Sequence, residues 1–293
     1  MKLTGSIVAL VTPFHEDGRI NYEKLENLID YHIKHQTDCI LILGTTGESP
    51  TITFEEEKRM VTHTVKYAAG RIPIMVGSGS NDTAQAVLSS TTFESLGVDY
   101  LLVLTPYYNK TNEPGMIKHF KTIADAVTTP IVLYNVPGRT GCSLSENAVK
   151  VLAKHPNIVG IKEASGDFSY MTRISRYVSD DFALYTGNDD TIVPALSLGA
   201  SGVVSVWANV MPNVVHELVQ AYLTGDARKS LELLQQHLDF VNGLFIETNP
   251  IPVKYIMNEL GFNVGPFRAP LDLPSSSCQE TLKMLMRSVN LKK

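Results

Sequence analysis

Residues 130–165 read PIVLYNVPGRTGCSLSENAVKVLAKHPNIVGIKEAS, and the order of patterns in them decides the fold. The apolar run Ile131-Val132-Leu133-Tyr134 gives way to a Pro/Gly loop. Ser145 then precedes a stretch of helical spacing, and a second apolar run starts at Ile158. Continuous apolar runs, rather than strict alternation, are what strands covered on both faces of a parallel sheet require. Strand, helix and strand in that order form a right-handed βαβ crossover.

Working outward, the same unit recurs along the chain. Apolar runs lie at roughly 6–14, 39–43, 72–79, 100–108, 130–138, 158–165, 182–187 and 202–208. Amphipathic stretches separate them, among them 22–36, 54–69, 83–96, 116–127 and 146–154. Asn21, Asn81, Ser145 and Asp190 are expected helix N-caps, and Gly70 and Gly97 expected stops. With 212–223 as the eighth helix, the pattern predicts an α/β fold, a (β/α)8 TIM barrel over 1–224. An open doubly wound sheet would carry a glycine-rich turn after its first strand, whereas here Thr12-Pro13-Phe14-His15 follows. Residues 225–293 show helical periodicity at 227–244, 251–260 and 279–289 and no strand, so a C-terminal helical extension is expected.

Composition narrows the class. Apolar residues make up 44% of the 293 and charged residues 19%, which suits a large core and not disorder. The net charge of −5 is spread along the chain without a basic stripe, so no nucleic-acid partner is expected. No apolar run approaches the ~20 residues of a membrane span, and no signal-peptide core is visible, so a cytoplasmic protein is expected. Cys39, Cys142 and Cys278 are too few and too widely spaced for a disulfide framework or a zinc site.

Barrel active sites lie where strands end. Lys162 interrupts the apolar run Gly160-Ile161-Lys162-Glu163-Ala164, where an unpaired ammonium is costly. Burial favours the neutral amine, the nucleophile of Schiff-base chemistry. Pairing with a carboxylate such as Glu163 is the alternative, weakened because alternation turns the two to opposite faces. Gly44-Thr45-Thr46-Gly47 offers hydroxyls and backbone N–H groups to a small anion, or is a plain strand-to-helix turn. Tyr107, Tyr108 and Tyr134 end neighbouring runs as proton carriers or as packing residues. Arg139, in a Pro/Gly-bounded loop, is a carboxylate clamp or a solvated side chain. Seven of the eight histidines fall in helical stretches, leaving only His15 near a strand end, so no catalytic metal is expected.

Taken together, Gly44-Thr45-Thr46-Gly47-Glu48-Ser49, Pro106-Tyr107-Tyr108-Asn109, Tyr134-Asn135-Val136-Pro137-Gly138-Arg139-Thr140-Gly141, Gly160-Ile161-Lys162-Glu163-Ala164 and Asn249-Pro250-Ile251-Pro252-Val253-Lys254 resemble the motifs of the dihydrodipicolinate (4-hydroxy-tetrahydrodipicolinate) synthases. These belong to the pyruvate-dependent class I aldolase and N-acetylneuraminate lyase superfamily. The resemblance spans about 3–275 and implies a lyase of diaminopimelate and lysine biosynthesis that condenses pyruvate with L-aspartate-4-semialdehyde. It implies a Schiff base on Lys162 without cofactor or metal, and a proton relay of Tyr134, Thr45 and Tyr108, the last crossing from a neighbouring subunit of a homotetramer, a dimer of dimers. Thr46 would hold the pyruvate carboxylate and Arg139 that of the semialdehyde, with Gly187 and Val204 lining the pocket.

Sugar-acid lyases of the superfamily share the barrel and the lysine, but Thr45-Thr46 and Arg139 suit a short dicarboxylic adduct better. A non-catalytic barrel or a phosphosugar isomerase fits less well, since Gly187-Asn188-Asp189-Asp190 is a poor phosphate cradle. Ser49, Asn81 and Tyr107 match the family's lysine-inhibitor pocket. Gln85 stands there in place of the usual Glu, and Pro50, Phe54 and Glu57 also depart from the inhibited enzymes, so weak or absent lysine inhibition is expected.

Overall fold

The computed structural model describes residues 3–291; the first and last two residues of the expected barrel and extension lie outside it. Eight parallel strands close into a barrel in sequence order: β1 Gly5–Ala9, β2 Cys39–Ile42, β3 Ile74–Gly77, β4 Tyr100–Leu104, β5 Ile131–Asn135, β6 Ile158–Glu163, β7 Ala183–Thr186 and β8 Gly202–Ser205. The closing seam pairs β8 with β1, Ile7 opposite Val204. A side chain on Gly202 would collide with the Gly5 carbonyl, so the seam needs glycine there.

Each strand has two buried faces, as the continuous apolar runs require. One face points inward, where Ile7, Cys39, Leu41, Met75, Leu102, Val132, Tyr185 and Val204 fill the barrel. The other packs on the helical shell: α1 Tyr22–Lys34, α2 Phe54–Ala68, α3 Thr83–Ser95, α4 Glu113–Asp125, α5 Pro137–Thr140, α6 Glu146–Leu152, α7 Phe168–Ser175, α8 Ile192–Ser197 and α9 Pro212–Leu223. Helix α1 shows the logic. Asn21 accepts from the Lys24 N–H at 3.0 Å, and Leu25, Leu28, Ile29 and His32 form its buried stripe. After β8 the chain is helical: α9 leads to α10 Ala227–Gly243, α11 Ile251–Glu259 and α12 Ser276–Ser288. Among the described residues no helix is long and apolar enough to cross a membrane.

Several expected boundaries shift. Strand β1 ends at Ala9 rather than 14, and β4 at Leu104 rather than 108, because the apolar residues that follow belong to rim loops. Helix α3 is capped by Asp82, not Asn81, since the Asp82 carboxylate accepts from Ala84 N. Asp190 caps nothing: residues 189–191 form a short 3-10 turn before α8. Helix α4 begins at Glu113 because Asn112 caps it and Pro114 fits the first turn, where its missing N–H is harmless. His35 and His155 lie just past the ends of α1 and α6.

Candidate active site

A cavity of about 610 Å3 opens at the strands' C-terminal ends, and Lys162, Tyr134, Thr45, Thr46, Arg139 and Gly187 are all in its wall. Lys162 lies on β6 in register with Tyr134 of β5 and Tyr185 of β7. It is 6% exposed, and its Nζ sits 4.2 Å from the centre of the Tyr134 ring. Among the described residues it has no carboxylate within ion-pair distance. Glu163 faces the other way, fully buried, accepting from Asn135 Nδ2 at 2.7 Å and Ser165 N at 2.6 Å. Burial pushes the Glu163 carboxyl above its usual range. The Lys162–Glu163 pair considered from the sequence is therefore absent. Gly187 makes room for the lysine, since a Cβ there would stand 2.8 Å from Lys162 Cε and 2.7 Å from Ala164 Cβ.

The turn after β2 carries two hydroxyls to the cavity. Residues Thr45–Gly47 form one 3-10 turn, flanked by Leu43 (φ 54°) and Glu48 (φ 58°) in left-handed conformations. Such backbone is unfavourable for a residue with a side chain unless its surroundings impose it. Here they do. The Glu48 carboxylate takes Lys254 Nζ at 2.6 Å and the Arg268 N–H at 3.0 Å, with both charged side chains buried. Thr12 Oγ1 donates to the Gly47 carbonyl at 2.6 Å. The first N–H groups of the turn have no acceptor within it, as at any helical start, and suit a carboxylate.

Arg139 projects from α5, which Gly141 ends in the left-handed conformation (φ 68°). Asn135 fixes this loop. Its Oδ1 accepts from Leu144 N at 2.9 Å while its amide holds Glu163, so one side chain joins β5, β6 and the returning loop. Arg139 Nη2 donates to the main-chain oxygen of Asn249 at 3.0 Å.

Not every expected residue joins this group. Tyr108 is 92% exposed, with φ 67°, and is not in the cavity wall. Val204 is also not at the wall. It sits mid-barrel opposite Ile7, and Val206, two residues further along, takes the wall position. Ser49, Asn81, Gln85 and Tyr107 lie outside the cavity; Asn109 Nδ2 bonds the Asn81 carbonyl at 2.9 Å and so joins the loops after β3 and β4. The stretch from Phe245 to Asn249 also walls the cavity, with Phe245 and Ile246 partly exposed, and was given no role from sequence. Its advance signals are the polar Asn249 beside Pro250, in the joint between two stretches read as helical, and the resemblance motif that starts there. Among the described residues no group of three or more His, Cys, Asp or Glu side chains could hold a metal ion.

The model of the dihydrodipicolinate synthetase family matches residues 2–289. A 4-hydroxy-tetrahydrodipicolinate synthase of Thermoanaerobacter sp. (strain X514) is 49% identical over 290 residues, covering 99% of this chain and 97% of the relative. The crystal structure of dihydrodipicolinate synthase from Aquifex aeolicus superposes with a TM-score of 0.95 at 43% identity, over 98% of each chain. A chloride-inhibited dihydrodipicolinate synthase from Acinetobacter baumannii, complexed with pyruvate, gives 0.96 at 38% identity over 99% of this chain and all of that one. A matching family model, a matching barrel and near-complete coverage agree: the chain belongs to the dihydrodipicolinate synthetase family.

Proposed function

We propose that Lys162 is the Schiff-base nucleophile of this chain, with pyruvate as its first substrate and L-aspartate-4-semialdehyde as its second. The activity is that of a 4-hydroxy-tetrahydrodipicolinate synthase, a lyase of lysine biosynthesis. The supporting observation is a buried amine with no carboxylate partner among the described residues, facing a threonine turn and an arginine across one cavity. The Lys162 amine attacks the keto carbon of pyruvate and water leaves. The imine loses a methyl proton to become an enamine, whose carbon bonds to the aldehyde carbon. The amino group of the second substrate then displaces Lys162 and closes the ring. Tyr134, Thr45 and Tyr108 move the protons, Thr46 holds the pyruvate carboxylate, Arg139 that of the semialdehyde, and Gly187 leaves space for the adduct; Val204 supports the pocket from the layer below. No cofactor or metal takes part.

Tyr108 is assigned to the cavity of a second subunit, in a homotetramer built as a dimer of dimers. Its exposure and left-handed backbone, outside its own cavity, support that reading. The setting is the cytoplasm. Lysine inhibits weakly or not at all, because Gln85, which donates to Ser89 at 3.3 Å, lacks the charge that would meet an ammonium. A coupled assay tests the function. Turnover should require pyruvate and aspartate semialdehyde together and persist in submillimolar lysine. Cleavage of N-acetylneuraminate or of 2-keto-3-deoxy sugar acids at a higher kcat/KM would overturn it.

A further inference from the structure

Asn249 enters the cavity from the helical segment, not from a barrel strand, and it touches both anion-binding groups. Its Nδ2 donates to Thr46 Oγ1 at 3.0 Å, and its main-chain oxygen accepts from Arg139 Nη2 at 3.0 Å. The residue is 7% exposed, yet its Oδ1 is buried with no hydrogen-bond partner among the described residues. Native proteins seldom leave a buried amide oxygen unpaired, and an exception in a cavity wall points to a ligand.

Two consequences follow from who donates to whom. Thr46 Oγ1 already accepts a proton from Asn249, so its own O–H remains for a further acceptor, which a substrate carboxylate supplies. Oδ1, by contrast, needs a donor. Pyruvate has none: its keto and carboxylate oxygens only accept. The aldehyde substrate has one, its α-ammonium, and its carboxylate is the group assigned to Arg139. Because Arg139 is bonded to Asn249 itself, an acceptor for the ammonium stands beside the donor for the carboxylate.

We propose that Asn249 is a specificity-determining residue whose side-chain oxygen accepts from the α-ammonium of the aldehyde substrate, so that Asn249 and Arg139 together read an α-amino acid head. This rests on the function proposed above. An amide oxygen suits the task because it accepts an N–H from the ammonium and equally from the neutral amine, so the contact survives the loss of the proton that ring closure requires; a carboxylate would favour the charged form and oppose that loss.

The test compares aspartate semialdehyde with 4-oxobutanoate, the same aldehyde with its carboxylate kept and only the α-amino group missing, used as a competitive inhibitor. Asn249→Ala should raise KM for aspartate semialdehyde by about 10- to 100-fold, the worth of a hydrogen bond to a charged group. The inhibition constant of 4-oxobutanoate should change less than threefold, roughly the scatter expected for a contact it does not make. Equal weakening of both ligands, or no change in either, would overturn the proposal. Asn249→Ser provides the same comparison should the alanine variant not fold. Turnover of aspartate semialdehyde by the unaltered enzyme keeps the outcomes separate: its absence contradicts the function, while normal turnover with equal weakening contradicts the role of Asn249 alone.

Discussion

Among the described residues two lysines are buried, and they differ in what stands next to them. Lys254 of α11 is fully buried, 2.6 Å from the Glu48 carboxylate and 4.3 Å from the centre of the Phe14 ring. Lys162 of β6 is nearly as buried and equally close to a ring, yet has no carboxylate partner among the described residues. Burial alone therefore does not mark a nucleophile. A lysine tied to a buried carboxylate is held in place by that partner, whereas one without such a partner at a cavity wall can reach a carbon electrophile. The two are linked through structure: Lys254 secures Glu48 at the end of the turn that carries Thr45 and Thr46, so the structural lysine supports the site of the proposed nucleophile.

Removing each lysine should separate these roles. The largest effect is expected for Lys162→Met in steady-state assays, a loss of kcat of at least about 10³-fold, because covalent catalysis ends with the nucleophile. Its thermal midpoint should not fall, since an unpartnered buried amine costs the fold more than a thioether. A large drop in stability would mean that Lys162 has a structural partner. Lys254→Met should show the reverse emphasis in urea unfolding, losing about 3–5 kcal/mol because Glu48 is left buried and uncompensated. The double variant with Glu48→Gln should recover part of that loss; no recovery would show that the pair is not the source.

Two carboxylates extend the contrast to pH. Glu56 is held down to about 2, chiefly by its hydrogen bonds from Arg268, one of them 2.9 Å long. Its folded value lies below the unfolded one of 4.5, so its stabilisation is complete above 4.5 and is lost as pH falls towards 2. The stability difference between wild type and Glu56→Gln should fade over that window. Asp189 is pushed up to about 6 by burial, although its Oδ2 accepts from Val206 N and Trp207 N, each at 2.9 Å. Here the sign is opposite: stability declines as pH rises from 3.8 to about 6, where the unfolded chain ionises first. Asp189→Asn should remove that decline in pH-dependent unfolding. A decline that persists would assign it to another group.

The contrast also explains what could be read from the sequence. The barrel was legible because each strand is buried on two faces and so appears as an apolar run, with Lys162 conspicuous inside one. Thr45, Tyr134 and Arg139 followed, since strand ends define the rim. Boundaries were harder. The apolar rim loops after β1 and β4 look like strand, and Pro114 looks like a breaker when it occupies the first turn of α4. Helices α7 and α8, eight and six residues long, are too short to declare a period. The roles of Asn249, Lys254 and Arg268 were hidden for a deeper reason, although the first and second fall in a motif that carries the resemblance. Their partners Thr46, Glu48 and Glu56 lie some two hundred residues away, and only tertiary packing brings them together.

Peptide mapping after incubation with pyruvate and reduction by borohydride tests the central claim most directly. One reduced pyruvate adduct should be found per chain, on the peptide that carries Lys162, with none on the peptide that carries Lys254. An adduct elsewhere, or no adduct while the enzyme still turns over, would contradict the account.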